Sequence, residues 1–232
     1  MKILWISNYP LPEISQATGR QIIVNEGWKV QIAEKIANSN DEFYIAFPDS
    51  DINSIQRGRV EKYHYIAFPV KKDLKERIRG LETEKSVIKK ELENGEFDII
   101  HIWGTEFPHS YATVVAASEL EQIDKTVVSL QGIAEECYVH YYTGVEYQYI
   151  KKQSIIDVIR HKGIYLDSLE MKERGRLETE LLKRARCVIG RTDFDRAYVF
   201  LVNNNMFLEK SNDHEDYLYY QNNHMLCHRS IF

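Results

Sequence analysis

The feature that most constrains this chain is a repeated punctuation. Short apolar runs stop at turn residues, and stretches with helical spacing follow them. Residues 2–8 form an apolar run that stops at Asn8-Tyr9-Pro10, and residues 11–27 read as a loop containing Pro12, Gly19 and Gly27. Trp28, Val30, Ile32, Ala33 and Ile36 then recur close to a helical period over residues 28–37. Residues 43–47 read as a second strand ended by Pro48-Asp49, and residues 63–70 as a third, cut at Pro69 as at an edge or a strand end. Residues 71–94 predict one charged helix stopped at Asn94-Gly95. Strands follow at 98–103, 125–130 and 186–190, separated by an Ala-rich helix at 110–120, a Tyr-rich stretch at 134–166 and a charged helix at 169–185.

Strands that are apolar throughout and alternate with helices imply an α/β fold, a parallel sheet with helices on both faces. In such sheets ligands bind beyond the carboxyl ends of the strands, near the point where the strand order reverses. The loops to inspect are then residues 8–27, 103–109, 131–136 and 191–195. Residues 200–232 differ in kind, with runs of Asn and no period, and read as an irregular tail following a first domain at 1–199.

Composition removes several function classes. The 232 residues carry 30 Lys and Arg against 35 Asp and Glu, a net charge of -5, so electrostatics supply no reason to bind nucleic acid. No apolar run reaches the ~18 residues of a membrane span. The first residues form too short an apolar run for a secretion signal, so the expected location is the cytoplasm. Three cysteines, Cys137, Cys187 and Cys227, without CxxC spacing, argue against a disulfide framework and a zinc site. No HExxH, P-loop, serine elbow or GxGxxG is present, so neither a metal nor a dinucleotide cofactor is expected.

Four places could carry chemistry. Gly27 at a helix start would let backbone approach an anion, or it is a cap with Trp28 in the core. His101, Trp103, Thr105, Glu106 and His109 follow or end one strand. His and Glu suit hydrogen bonding and proton transfer, and Trp suits stacking on a sugar ring. His101 and Trp103 could equally be core, whereas His109 opens the next helix outside the strand end. Gln131 and Gly132 form either a simple turn or a hydroxyl or phosphate site. Arg191 and Thr192 could bind an anion, with Thr192 or Asp193 doubling as a helix cap. The tyrosines Tyr138, Tyr141, Tyr142, Tyr147 and Tyr149 could line a carbohydrate groove or cover a core edge.

Residues 1–12, the Glu26-Gly27-Trp28 loop, residues 98–109 and Gly190-Arg191-Thr192 together resemble the N-terminal half of a family-4 glycosyltransferase. The resemblance implies half of a GT-B fold, in which two Rossmann-like domains face each other across a cleft. It implies metal-free, retaining transfer from a nucleotide-sugar to a glycan or lipid-linked acceptor. The expected setting is bacterial cell-surface polysaccharide synthesis, in the cytoplasm or at the inner face of the membrane as a peripheral protein. By that resemblance Gly27 matches the second glycine of the loop that approaches the donor diphosphate, with Glu26 in place of the first. His109 matches the active-site histidine, with His101 as the fallback, and Arg191 and Thr192 match the motif that faces the cleft. A donor domain needs about 150–200 further residues. The resemblance therefore implies an acceptor half, truncated and inactive alone, or a non-catalytic subunit paired with a donor-domain chain.

Overall fold

The computed structural model describes residues 1–23, 27–151, 163–203 and 207–210. Strand β1 (Lys2–Ile6) leads through helices α1 (Pro12–Thr18) and α2 (Gly27–Ala37) to strands β2 (Glu42–Asp49), β3 (Gln56–Val60) and β4 (Tyr63–Pro69). Helices α3 (Leu74–Arg79) and α4 (Leu81–Gly95) precede β5 (Ile99–Trp103), α5 (Pro108–Glu119) and β6 (Thr126–Ser129). Helices α6 (Ala134–Val139), α7 (Tyr147–Lys151) and α8 (Ile164–Leu182) lead to β7 (Cys187–Gly190), α9 (Asp193–Val202) and β8 (Phe207–Lys210). The eight strands form one sheet in the order β3-β4-β2-β1-β5-β6-β7-β8. Every neighbouring pair is parallel except β3 and β4.

β1 sits where the strand order reverses. It pairs on one side with β2, Trp5 opposite Ile45, and on the other with β5, Leu4 opposite Ile100. Its side chains alternate between two cores, as strand geometry requires. Ile3 and Trp5 pack with Ile32, Ala33 and Ile36 of α2 and Phe43 and Phe47 of β2. Leu4 and Ile6 pack on the opposite face with Ile88 and Leu92 of α4, Val114 of α5 and Leu181 of α8. A strand buried on both faces reads as a continuous apolar run, which is what residues 3–6 are.

The fold class expected from the sequence is the one observed: a Rossmann-like, mostly parallel sheet between helix layers. Four details differ from the sequence expectation. The loop at 11–27 holds α1, started by Pro12 and closed by Gly19 at φ 70. Seven residues are too few for a period to show. β3 was not foreseen because Gln-Arg-Gly-Arg-Val has one apolar side chain, as suits a charged outer edge. It makes β4 an interior strand, and Pro69 marks the end of β4. The single helix expected at 71–94 is two, broken at Gly80, with the Asp73 carboxylate capping the first by accepting from the Glu76 N–H. The chain also stays regular past residue 199: α9 runs to Val202, and β8 pairs with β7. The remainder of the expected tail lies outside the described residues.

α6 crosses α8 at Gly175. A Cβ there would stand 2.7 Å from the Glu135 Cα and 2.8 Å from its N, atoms of backbone that cannot swing away. Gly→Ala inside a helix ordinarily stabilises by about 1 kcal/mol. At this crossing Gly175→Ala is expected to destabilise by about 1–3 kcal/mol through overpacking, read as a lower urea midpoint. A raised midpoint would show that the helices are free to move apart.

Candidate functional site

The carboxyl ends of β1 and β5 diverge at the reversal point, and a cleft of about 980 Å³ opens beyond them. It is lined by Asn8 and Tyr9 after β1, Arg77 of α3, Glu106 and Phe107 after β5, and Gln131 after β6, with Arg174 of α8 also on its wall.

A buried cation lies beneath the loop after β1, outside the cleft lining. Lys29 of α2 is 3% exposed, and its ammonium donates to the Ser7 Oγ at 2.8 Å. The Ser7 hydroxyl in turn donates to the Tyr9 carbonyl at 2.7 Å. Lys29 falls on the same stripe of α2 as Ile32, Ala33 and Ile36, which carries its long side chain inward.

After β5 the chain turns at Gly104, whose φ of 86° lies in the left-handed region. The next residue splits its bonding two ways. The Thr105 N–H donates to the Glu106 carboxylate at 2.9 Å, and the Thr105 hydroxyl donates to Glu178 of α8. The second Glu178 oxygen accepts from the Ala134 N–H at 2.7 Å, at the start of α6. One fully buried carboxylate therefore ties the β5 loop, the β6 loop and α8 together. Burial pushes its pKa up to about 7 despite these hydrogen bonds, and nearby Glu106 pushes the same way.

His109 opens the next helix and is fully buried. Its ring stacks on Phe107 at 5.4 Å and meets Phe68 edge-on at 6.1 Å. The Arg77 guanidinium donates to its Nδ1 at 3.0 Å. The same guanidinium grips Glu84 by two bonds, 2.9 and 3.0 Å. In a continuous helix these two residues would lie ~10.5 Å apart along the axis, and the break at Gly80 brings them together. Burial first, and then the charges of Arg77, Arg174 and Lys29, hold the His109 pKa well below the usual histidine value. The ring is neutral at physiological pH.

Not all the residues singled out from the sequence reach this cleft. Glu106 and Gln131 line it. His109 lies behind Phe107 and Pro108, and Thr105 is buried beneath. Arg191 donates from its guanidinium to the Gln131 carbonyl, bracing two neighbouring loops. The Gln131 Nε2 is buried without a partner among the described residues. Thr192 forms a capping box with Asp195, whose carboxylate also accepts from the Arg191 and Thr192 N–H groups at 2.8 and 2.9 Å. Gly132 and Gly27 both have open space beside the α-carbon. Gly27 opens α2 and is not among the residues lining the cleft, and Glu26 lies outside the described residues.

His101 and Trp103 are core residues. The His101 ring is fully buried, stacks on Trp103 at 4.1 Å and shares a 2.7 Å hydrogen bond with Ser129. Burial, with the charge of Lys29, pushes its pKa down to about 3. Trp103 is 2% exposed and packs edge-on against Trp5 and Trp28, so its ring faces offer no platform to a sugar. Tyr138, Tyr141, Tyr142 and Tyr149 are likewise not among the cleft residues. Tyr142 bonds Ser168 of α8, and Tyr138 lies under Lys172 of the same helix. Sequence reasoning missed Lys29, Arg77, Glu84, Arg174 and Glu178. Lys29 and Glu178 were detectable as charges on otherwise apolar helix stripes.

Among solved structures, the chain is similar to sucrose-phosphate synthase from Thermosynechococcus elongatus, with a TM-score of 0.53 and 12% identity. The match covers 90% of this chain and 47% of that one, so the chain spans about half the length of its structural relative. α,α-Trehalose 6-phosphate synthase from Burkholderia multivorans matches at a TM-score of 0.46 and 11% identity, over 85% of this chain and 41% of that one. UDP-GlcNAc 2-epimerase from Methanocaldococcus jannaschii matches at 0.44 and 11%, over 90% and 45%. The likeness to sucrose-phosphate synthase is one of fold. No protein-family model matches the chain, and no curated protein matches it.

Glu178 makes a pH-dependent contribution to stability. Its pKa is raised on folding from 4.5 to about 7, so the native state favours the protonated form. Its contribution is fully present below pH ~4.5 and is lost as pH rises through ~7, a change on the order of 3 kcal/mol. Glu178→Gln keeps an oxygen for Ala134 and an amide that the Thr105 hydroxyl can accept from. The variant is expected to match the wild type at pH 5 and to exceed it in urea midpoint at pH 8. Equal midpoints at both pH values would contradict the raised pKa.

Proposed function

We propose that this chain is the acceptor-binding half of a glycosyltransferase that takes sugar from a nucleotide-sugar donor. The observation that carries the reading is the polar cleft at the strand-order reversal, backed by a neutral histidine at the start of α5. The fold likeness to sucrose-phosphate synthase supports it, as does the order of sequence motifs. In this reading the acceptor lies against Tyr9, Phe107 and Gln131, and the Gln131 amide holds a hydroxyl or phosphoryl oxygen. His109 lies behind Phe107 and Pro108 and supplies a hydrogen bond to the reacting sugar once these two residues move aside. The chemistry is positioning and electrostatic stabilisation of a leaving diphosphate, to which a second domain adds the donor contacts. No metal enters the proposal. No helix among the described residues is long and apolar enough to cross a membrane.

A second reading is a non-catalytic subunit paired with a donor-domain chain. It is favoured by the outer side of α9, where Phe194 and Phe200 are each 59% exposed and Leu201 is 80% exposed.

The test is amide chemical-shift mapping with glucose, glucose 6-phosphate, UDP-glucose and NAD as probes, alongside a transfer assay. Shifts confined to the residues around Phe107 and Gln131 on adding a sugar, with no transfer by this chain alone, are the expected result. Tight binding of NAD without any sugar response would overturn the reading in favour of a redox domain. For the second reading, light scattering of Leu201→Lys beside the wild type is expected to show a self-associating or partner-bound wild type and a monomeric variant.

A further inference from the structure

An arginine side chain only donates hydrogen bonds. The 3.0 Å contact from the Arg77 guanidinium to the His109 Nδ1 therefore makes Nδ1 the acceptor, and the ring proton must sit on Nε2. Arg77 has little freedom to do otherwise. Both of its bonded nitrogens are engaged by Glu84, and the two side chains are only 11% and 6% exposed. Glu84 sits on α4 and Arg77 on α3, so the break at Gly80 sets the geometry of this pair. On the opposite side of the guanidinium, the His109 ring is held flat by Phe107 and edge-on by Phe68. Its Nε2 is buried and has no hydrogen-bond partner among the described residues. A buried donor left unsatisfied is costly, so such a group calls for an explanation.

We infer that Arg77 and Glu84 are positioning residues that lock His109 in its Nε2–H form, so that a sugar group reaching the ring once Phe107 and Pro108 give way meets a hydrogen-bond donor and not a proton acceptor. The role toward a sugar rests on the function proposed above, but the lock is a property of the free protein. The charged groups facing the ring act in the same direction. Arg77 of α3, Arg174 of α8 and Lys29 of α2 all disfavour a second ring proton, and Glu84 is spent on Arg77. A ring held this way cannot serve as a general base through Nδ1, and Nε2 already carries its proton. It can donate to a hydroxyl or phosphoryl oxygen, which are the acceptors that a sugar or its leaving group presents.

The test is nitrogen NMR of the full chain labelled at histidine, which reports the nitrogen carrying the proton. The expected wild-type His109 is an Nε2–H ring that stays neutral from pH 8 down to pH 5.5. In Arg77→Met the ring loses its donor, and the two tautomers are expected to mix. Arg77→Lys keeps a cationic donor and should hold the Nε2–H form, which a merely structural role would not foresee. A wild-type ring protonated at Nδ1, or one that titrates near pH 6.5, overturns the inference. So does a folded Arg77→Met protein whose tautomer is unchanged. If Arg77→Met fails to fold, the wild-type spectrum alone decides. The tautomer is read without any sugar, so failure of the lock and failure of the glycosyltransferase reading are separate results.

Discussion

Burial of β1 on both faces and along both edges is the constraint on which the rest of this structure depends. Ile3 and Trp5 are committed to one core, Leu4 and Ile6 to the other, and the backbone is committed to β2 and β5. A chain so enclosed can leave only beyond its carboxyl end, and there Ser7 meets Lys29. The connections from β1 and from β5 run to opposite sides of the sheet, and the cleft is the space they leave between them. Its position is a consequence of strand order and does not require any particular side chain.

What the side chains decide is the electrostatic character of that space. Buried charges are costly unless they are paired or hydrogen-bonded, and those around this site show both solutions. Arg77 is matched by Glu84 through two bonds, and Arg20 is matched by Asp49 at 2.7 Å. Glu178 forms no ion pair with a described residue. It relies on Thr105 and the Ala134 N–H, and its pKa rises accordingly. The two buried histidines, His101 and His109, are pushed toward the neutral form by the same burial and by the same lysine. The buried groups behind the cleft wall are therefore paired, hydrogen-bonded or held neutral.

Much of the architecture was legible because it is local. Apolar runs of strand length, turn residues after them and helical spacing between them do not depend on distant parts of the chain. The residues that follow strand ends, Glu106 and Gln131, reached the cleft for the same reason. His101 and Trp103 did not, because they belong to a strand covered on both faces, where either side of the pleat leads into a core. α1 and β3 escaped notice for want of length and of apolar side chains respectively. The break at Gly80 was hidden by strong helix formers on either side of it.

By itself the sequence determined the α/β class and the parallel character of the sheet, and it pointed to the loops beyond the strand ends, since periodicity and turn chemistry are written in neighbouring residues. Only the tertiary structure decided which polar side chains meet there. Arg77 joins His109 from 32 positions away, and Glu178 joins Thr105 from 73. Such contacts are settled by the packing of whole helices against the sheet. A lone arginine or glutamate in a charged helix carries no local mark of whether it will be turned inward.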